Sequence, residues 1–270
     1  MKIIHFSDIH TGGHLSTYRA LFDKRIIGTI NYRLRRKKHI HWEYLSRAIE
    51  VIKKERPDYV INTGDLTSVS SLGEFTEAKD RLVPLVNDSS FEFINVPGNH
   101  DYYVKNKQSF TARNSTYNFL NRQKFVLEDL PLKLERDEAI FILADESRPN
   151  SGTKSSGIIY QKDIEKIQQW LEQPRQKPVI LVGHYPLRDK LGNPLAKRRA
   201  LENSEALYSM LVNEKINVTL CGHIHAAFAR NEECGSMEIC SGSLTIGGKL
   251  NKLEFDESTG RFTQSWIDLR

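Results

Sequence analysis

The chain has 270 residues, 39% hydrophobic and 27% charged, a balance that suits a globular protein with one substantial core and excludes an intrinsically disordered one. No run approaches the roughly 18 uninterrupted apolar residues of a membrane-spanning helix, and three cysteines (Cys221, Cys234, Cys240) in no metal-binding spacing indicate neither a disulfide framework nor a thiolate site. The net charge of +5 is unevenly spread: residues 19 to 41 hold eight Lys or Arg against one acid, Asp23, so the rest of the chain is mildly acidic.

Taken in chain order, KIIHF (2 to 6) reads as a strand, and the first ten residues put Asp8 and His10 where a secretory signal would keep its apolar run, so a cytoplasmic protein is expected. Residues 18 to 42 form a basic amphipathic insert. In it Leu21, Phe22, Ile26, Ile27, Ile30 and Leu34 recur at helical spacing, while Arg25, Arg33, Arg35, Arg36, Lys37 and Lys38 crowd the other side or the end. Next come a helix over 44 to 55, a strand over 58 to 63, a helix over 74 to 86 and a strand over 91 to 96, the alternation of βαβ units. PVILVG (178 to 183) and NVTLCG (217 to 222) flank a helix at about 203 to 214. Strand-like pieces at about 226 to 231, 236 to 241, 250 to 256 and 261 to 268 read as an antiparallel meander. With no repeat, low-complexity tract or linker, residues 1 to 270 are expected to be one domain, with loops at 147 to 156 and 188 to 199.

In α/β sheets ligands gather at the carboxyl ends of strands. Here those ends read Ser7-Asp8-Ile9-His10, Gly64-Asp65, Gly98-Asn99-His100-Asp101, Gly183-His184 and Gly222-His223-Ile224-His225, and they take five of the nine histidines. Glycine precedes four of the five groups, which suits sharp turns and close backbone approach. Carboxylates, an amide oxygen and imidazoles without a thiolate suit Mn²⁺, Fe or Zn²⁺ better than Ca²⁺ or a soft metal.

The order D-x-H, G-D, G-N-H-D, G-H, G-H-x-H resembles that of the calcineurin-like metallophosphoesterases, over residues 1 to about 245. The resemblance implies the family's α/β fold of four layers, two mixed β-sheets in a central sandwich flanked by helices. It implies two divalent metal ions, with Mn²⁺ expected first: one held by Asp8, His10 and His225, the other by Asn99, His184 and His223, with Asp65 bridging. It implies hydrolysis of a phosphodiester or pyrophosphate by a hydroxide generated at the metals, with His100 as transition-state stabiliser or general acid and Asp101 orienting that ring or holding it protonated. Arg198 and Arg199, in a basic loop expected to overhang the metals, are candidate contacts for a second phosphate or a carboxylate.

Single residues also have plainer readings: His5 as a packed core histidine, His14 as a loop histidine and Cys221 as a small buried strand-end residue. The insert has three, a helix docked on the core, a contact with an anionic membrane through Arg25, Arg33, Arg35, Arg36, Lys37 and Lys38, or a nucleic-acid contact. A net acidic remainder disfavours the last. The insert is similar to inserts in the family branch that includes UDP-2,3-diacylglucosamine pyrophosphatases of lipid A synthesis. That likeness implies a lipid-linked nucleotide substrate and a peripheral position on the inner face of the cell membrane. Soluble cyclic-nucleotide phosphodiesterase, nuclease and an inactive binding scaffold of the same fold are the alternatives, and the intact ligand set argues against the scaffold.

Overall fold

A computed structural model describes residues 1–12, 24–151 and 154–270, with the side chain of Arg35 outside the description. Expectations for His14, Arg19, Leu21 and Phe22 therefore lie outside the described residues. Along the chain run β1 (Lys2–Phe6), α1 (Arg25–Asn31), α2 (Trp42–Glu55), β2 (Tyr59–Asn62), α3 (Leu72–Val86), β3 (Glu92–Asn95), α4 (Lys107–Leu120), β4 (Leu132–Glu135) and β5 (Ile140–Leu143). They are followed by β6 (Gly157–Ile158), α5 (Gln161–Leu171), β7 (Val179–Val182), β8 (Leu201–Glu202), α6 (Ser204–Val212), β9 (Val218–Cys221), β10 (Phe228–Asn231), β11 (Met237–Cys240), α7 (Leu244–Gly247), β12 (Lys249–Asp256) and β13 (Arg261–Asp268). Among the described residues no helix is long and apolar enough to cross a membrane.

Two mixed sheets form, ordered β13-β12-β1-β2-β3 and β10-β11-β9-β7-β5-β4, with β6 and β8 as a small separate pair. The central strands are apolar on both faces because each face is covered, as in parallel sheets generally. Alternation sorts them: Ile4 and Phe6 point to a core shared with Leu45, Ala48 and Ile52 of α2 and Leu82 of α3. Ile3, Ile61 and Ile94 meet Phe141, Ile180, Val182 and Leu220 between the sheets. Ile142 and Leu181 pack against Ile164 and Ile167 of α5 and Leu207 of α6. Three cores make four layers, α/β/β/α, the expected architecture. His5 is fully buried, its Nε2 3.0 Å from Thr63 Oγ1.

The C-terminal quarter differs from the expected meander. β10 and β11 form an antiparallel hairpin, but β11 then pairs parallel with β9, while β12 and β13 form a second hairpin that joins the other sheet through β1. Local alternation specifies each strand; which sheet a hairpin joins is decided by long-range packing that alternation does not encode. In the insert the helix is short: α1 gives way to one π-helical turn at Tyr32–Arg36 and a 3-10 turn at Lys37–His39.

Candidate metal centre

The parallel strands β1, β2 and β3 of one sheet and β7 and β9 of the other end on a common rim, and every candidate ligand lies within five residues after such an end. The turns are strained. Asp8, His10, Asp65, His223 and His225, five of the seven candidates, have positive φ values between 50° and 70°, a conformation that costs of order 1–3 kcal/mol per non-glycine residue and concentrates at functional sites. Gly222 allows β9 to reach β1: a Cβ there would lie 2.1 Å from Ser7 Oγ and 2.3 Å from Asp8 Oδ2.

Two donor groups share Asp65. In the first, ligand atoms of Asp8, His10, Asp65 and His225 all lie within 4.8 Å of one another. In the second, His184 Nε2 is 3.4 Å from Asp65 Oδ2 and 3.2 Å from Asn99 Oδ1, which is 2.8 Å from His223 Nδ1. Main-chain carbonyls hold the outer nitrogens: His10 Nδ1 donates to Thr67 O at 3.1 Å, His184 Nδ1 to Thr63 O at 2.7 Å and His223 Nε2 to Arg199 O at 2.9 Å. Neutral rings so anchored turn bare lone pairs inward. Acceptors then face acceptors, and buried Asp8 Oδ1 and Asp65 Oδ2 have no hydrogen-bond partner. Such a cage fits cations and is costly without them.

Electrostatics agree. Burial alone would raise the Asp8 carboxyl, but His10 and His225 take it well below the usual range. Asp65 is likewise lowered, by His184 and His100 against burial. Burial would lower His184, yet the neighbouring Asp65 carboxylate raises it to about 10, the mark of a pocket that favours positive charge. An oxygen-and-nitrogen set with four imidazoles matches a pair of first-row divalent ions.

His100 lies on the cavity side. Its Nδ1 is 2.6 Å from Ser68 O, which leaves Nε2 as the edge toward the cavity, and its ring stacks on Tyr103 at 5.5 Å. Asp101 departs from the expectation, because its carboxylate takes its hydrogen bonds from other groups than that ring. Oδ2 accepts from Leu66 N, Gly98 N and the Tyr117 hydroxyl, and Oδ1 from Thr67 N and Oγ1. It ties the turns after β2 and β3 together, and Ser68 orients His100 instead.

A cavity of about 730 Å³ is lined by Asp65, Asn99, His100, His223 and His225 among others. Arg199 lines it as expected, whereas Arg198 is exposed and does not. Arg36 lines it, and Arg33, Lys37 and Lys38 are exposed. Arg25, expected at a membrane, is 3% exposed and reaches Ser109 on α4, so the charge docks the helix inward. Thr29 and Tyr32 are buried with it, which leaves Ile27, Ile30 and Leu34 67%, 50% and 74% exposed on the cavity side. Lys24, in the basic insert, and Arg148 and Lys154, in the 147 to 156 loop, also line the cavity and were not among the candidate site residues. None belongs to the strand-end groups from which the ligand candidates were drawn.

Residues 1–227 match the family described as calcineurin-like phosphoesterase. No curated protein matches the chain. Among solved structures, a dimetal phosphatase from Danio rerio aligns over 100% of this chain and 99% of its own at 13% identity, with a TM-score of 0.65. Purple acid phosphatase PPD1 from yellow lupin (Lupinus luteus) seeds aligns over 99% of this chain and 53% of its own at 15% identity, TM-score 0.58. A 5'-nucleotidase from Candida albicans aligns over 100% and 52% at 15% identity, TM-score 0.53. At these identities the likeness is one of fold.

Proposed function

The chain belongs to the calcineurin-like phosphoesterases and is a metal-dependent phosphoesterase, and from that premise we propose that it cleaves a phosphodiester or pyrophosphate bond in a lipid-linked nucleotide such as UDP-2,3-diacylglucosamine, at the cytoplasmic face of a membrane. The observation that carries the substrate class is the mixed lining of the cavity. Exposed aliphatic side chains of the insert (Ile27, Ile30, Leu34) and basic side chains (Lys24, Arg36, Arg148, Lys154, Arg199) line it together with residues of the donor groups. A substrate with an acyl part and an anionic part uses both kinds of surface, while a compact cyclic nucleotide leaves the aliphatic one idle.

In this reading Asp8, His10 and His225 would hold one cation, Asn99, His184 and His223 the other, and Asp65 both, with Mn²⁺ the proposed ion. When bound, the ions supply Lewis acidity and a nucleophile at neutral pH. The chain's own groups then divide the remaining tasks. Arg199 and Arg148 attract and orient the anionic part, the aliphatic wall keeps water from the acyl part, and His100, anchored through Nδ1–H by Ser68 O, presents Nε2 to the leaving oxygen and passes it a proton when the ring is doubly protonated.

A matched pair of Mn²⁺-supplemented assays tests this: UMP release from UDP-2,3-diacylglucosamine in mixed micelles, and hydrolysis of bis-p-nitrophenyl phosphate in buffer, each with Asp65→Ala as control. Turnover of the lipid that vanishes in the control is expected. Turnover of the soluble diester alone would keep the phosphoesterase and defeat the lipid assignment.

A further inference from the structure

The turn that carries His184 is held by a group no motif contains. Glu146, beyond the end of β5 and 1% exposed, accepts through one oxygen, Oε2, from the backbone N–H of both His184 and Tyr185, each at 2.8 Å. Gly183 is the residue that lets it in, since a Cβ there would lie 2.6 Å from Glu146 Oε1. Farther along the same turn Glu238 of β11 accepts from Leu187 N at 2.5 Å and Arg188 N at 3.4 Å. Two buried carboxylates thus grip one turn by four main-chain donors.

Tyr185 extends the grip. Its ring packs 4.3 Å from that of His223 and 5.2 Å from that of His184, and its hydroxyl donates to Ser155 O at 3.0 Å, in a segment that lines the cavity. The rings of the second donor group, placed from β7 and β9, therefore share a side chain whose backbone Glu146 fixes. In the first donor group His10 is held instead by Thr67 O at 3.1 Å, and His225 Nε2 stands 3.1 Å from Asp8 Oδ1.

We propose that Glu146 is a positioning residue for the second cation site: by anchoring the main chain of His184 and Tyr185 it sets where the His184 and His223 nitrogens stand relative to Asn99 and Asp65. The proposal rests on the dinuclear reading above. An anchor acting on a ligand's orientation is worth about 10- to 100-fold in metal affinity.

The test is calorimetric titration of cation-free protein with Mn²⁺, for the unaltered chain, Glu146→Ala, Glu146→Gln and a remote core variant, Leu82→Ala, with thermal unfolding of each in the absence of Mn²⁺. The unaltered chain should bind two ions. Glu146→Ala should keep one site at unchanged affinity and weaken the other about 10- to 100-fold, Glu146→Gln, which retains an acceptor oxygen, should recover part of the loss, and Leu82→Ala should unfold earlier yet bind two ions normally. Two unchanged sites in Glu146→Ala would overturn the proposal. So would equal loss in the Gln variant, or a loss in Leu82→Ala as large as in Glu146→Ala. Fewer than two ions on the unaltered chain would instead remove the dinuclear reading, before any variant is compared. Should Glu146→Ala fail to fold, Tyr185→Leu takes its place: weakening of one site supports the proposal and two unchanged sites refute it.

Discussion

Replacing Ile27, Ile30 and Leu34 together by Gln tests the aliphatic wall directly. These side chains are 67%, 50% and 74% exposed, so removing them takes little from the folded core, and Gln is a slightly better helix former than Ile. Together they offer on the order of 300 Å² of bare apolar surface, which at about 25 cal/mol per Å² bounds the gain from covering it near 7 kcal/mol. An acyl chain that covers half would contribute about 3 kcal/mol, or roughly 100-fold in binding. The expected result is a KM for UDP-2,3-diacylglucosamine raised about 100-fold at nearly constant kcat, with hydrolysis of bis-p-nitrophenyl phosphate unchanged. Kinetics in mixed micelles at fixed detergent mole fraction, beside the soluble assay, separate the two. An unchanged KM for the lipid would refute the reasoning, and so would equal losses on both substrates, which would mean that the wall shapes the centre and not the substrate.

Changing exposed Arg33, Lys37 and Lys38 to Glu should release the protein from vesicles containing anionic lipid, at about 1 kcal/mol per basic residue near the surface; unchanged co-sedimentation would defeat the membrane contact. Gly222→Ala, whose Cβ would sit 2.3 Å from Asp8 Oδ2, should cost about 1–3 kcal/mol of stability and weaken the ion at Asp8, His10 and His225, as read by Mn²⁺ titration. Arg136, with Lys124 adding to it, holds the Glu92 carboxyl below its ordinary value despite partial burial. The folded chain therefore gives up that proton at lower pH than the unfolded one. The stabilisation is full above about pH 4.3 and is lost as pH falls through the depressed folded value. Glu92→Gln should cost about 1–2 kcal/mol at pH 7, with the gap closing in acid; urea unfolding at both pH values checks it.

Much of the fold was legible because its strands are buried on both faces. KIIHF, DYVINT and FEFINV are short, mostly apolar runs, and the helices between them show three- and four-residue spacing. What escaped notice follows from weaker patterning. α4 buries Ser109, Arg113 and Thr116 beside Tyr117 and Leu120, so its inner face does not read as apolar. In the insert, helical spacing marked Ile27, Ile30 and Leu34 as a stripe but not which way it turns. Arg25, Thr29 and Tyr32 dock instead, because Arg25 finds Ser109 across the interface and amphipathicity says nothing of such a partner.

At the rim, the residues whose side chains meet in the two donor groups could be named from the chain because strand ends and the family resemblance both mark them, four of them (Asp65, Asn99, His184, His223) directly after a glycine. The residues that hold them in place could not. Asp101 stands one position from His100 yet serves Leu66, Thr67, Gly98 and Tyr117, and Glu146 serves a turn 38 residues away. Both act mostly on main-chain N–H groups, which every residue but proline carries, so those partners leave no mark in the sequence. The strained turns make such anchors necessary. Five donor residues at positive φ and two carboxylate oxygens without a hydrogen bond favour relaxation of the rim, and a bound ion opposes it only once the ring nitrogens already stand where it can bind. Buried carboxylates that grip the turns through the backbone keep the nitrogens there beforehand, so the ions meet a formed site and their binding energy is not spent in building it.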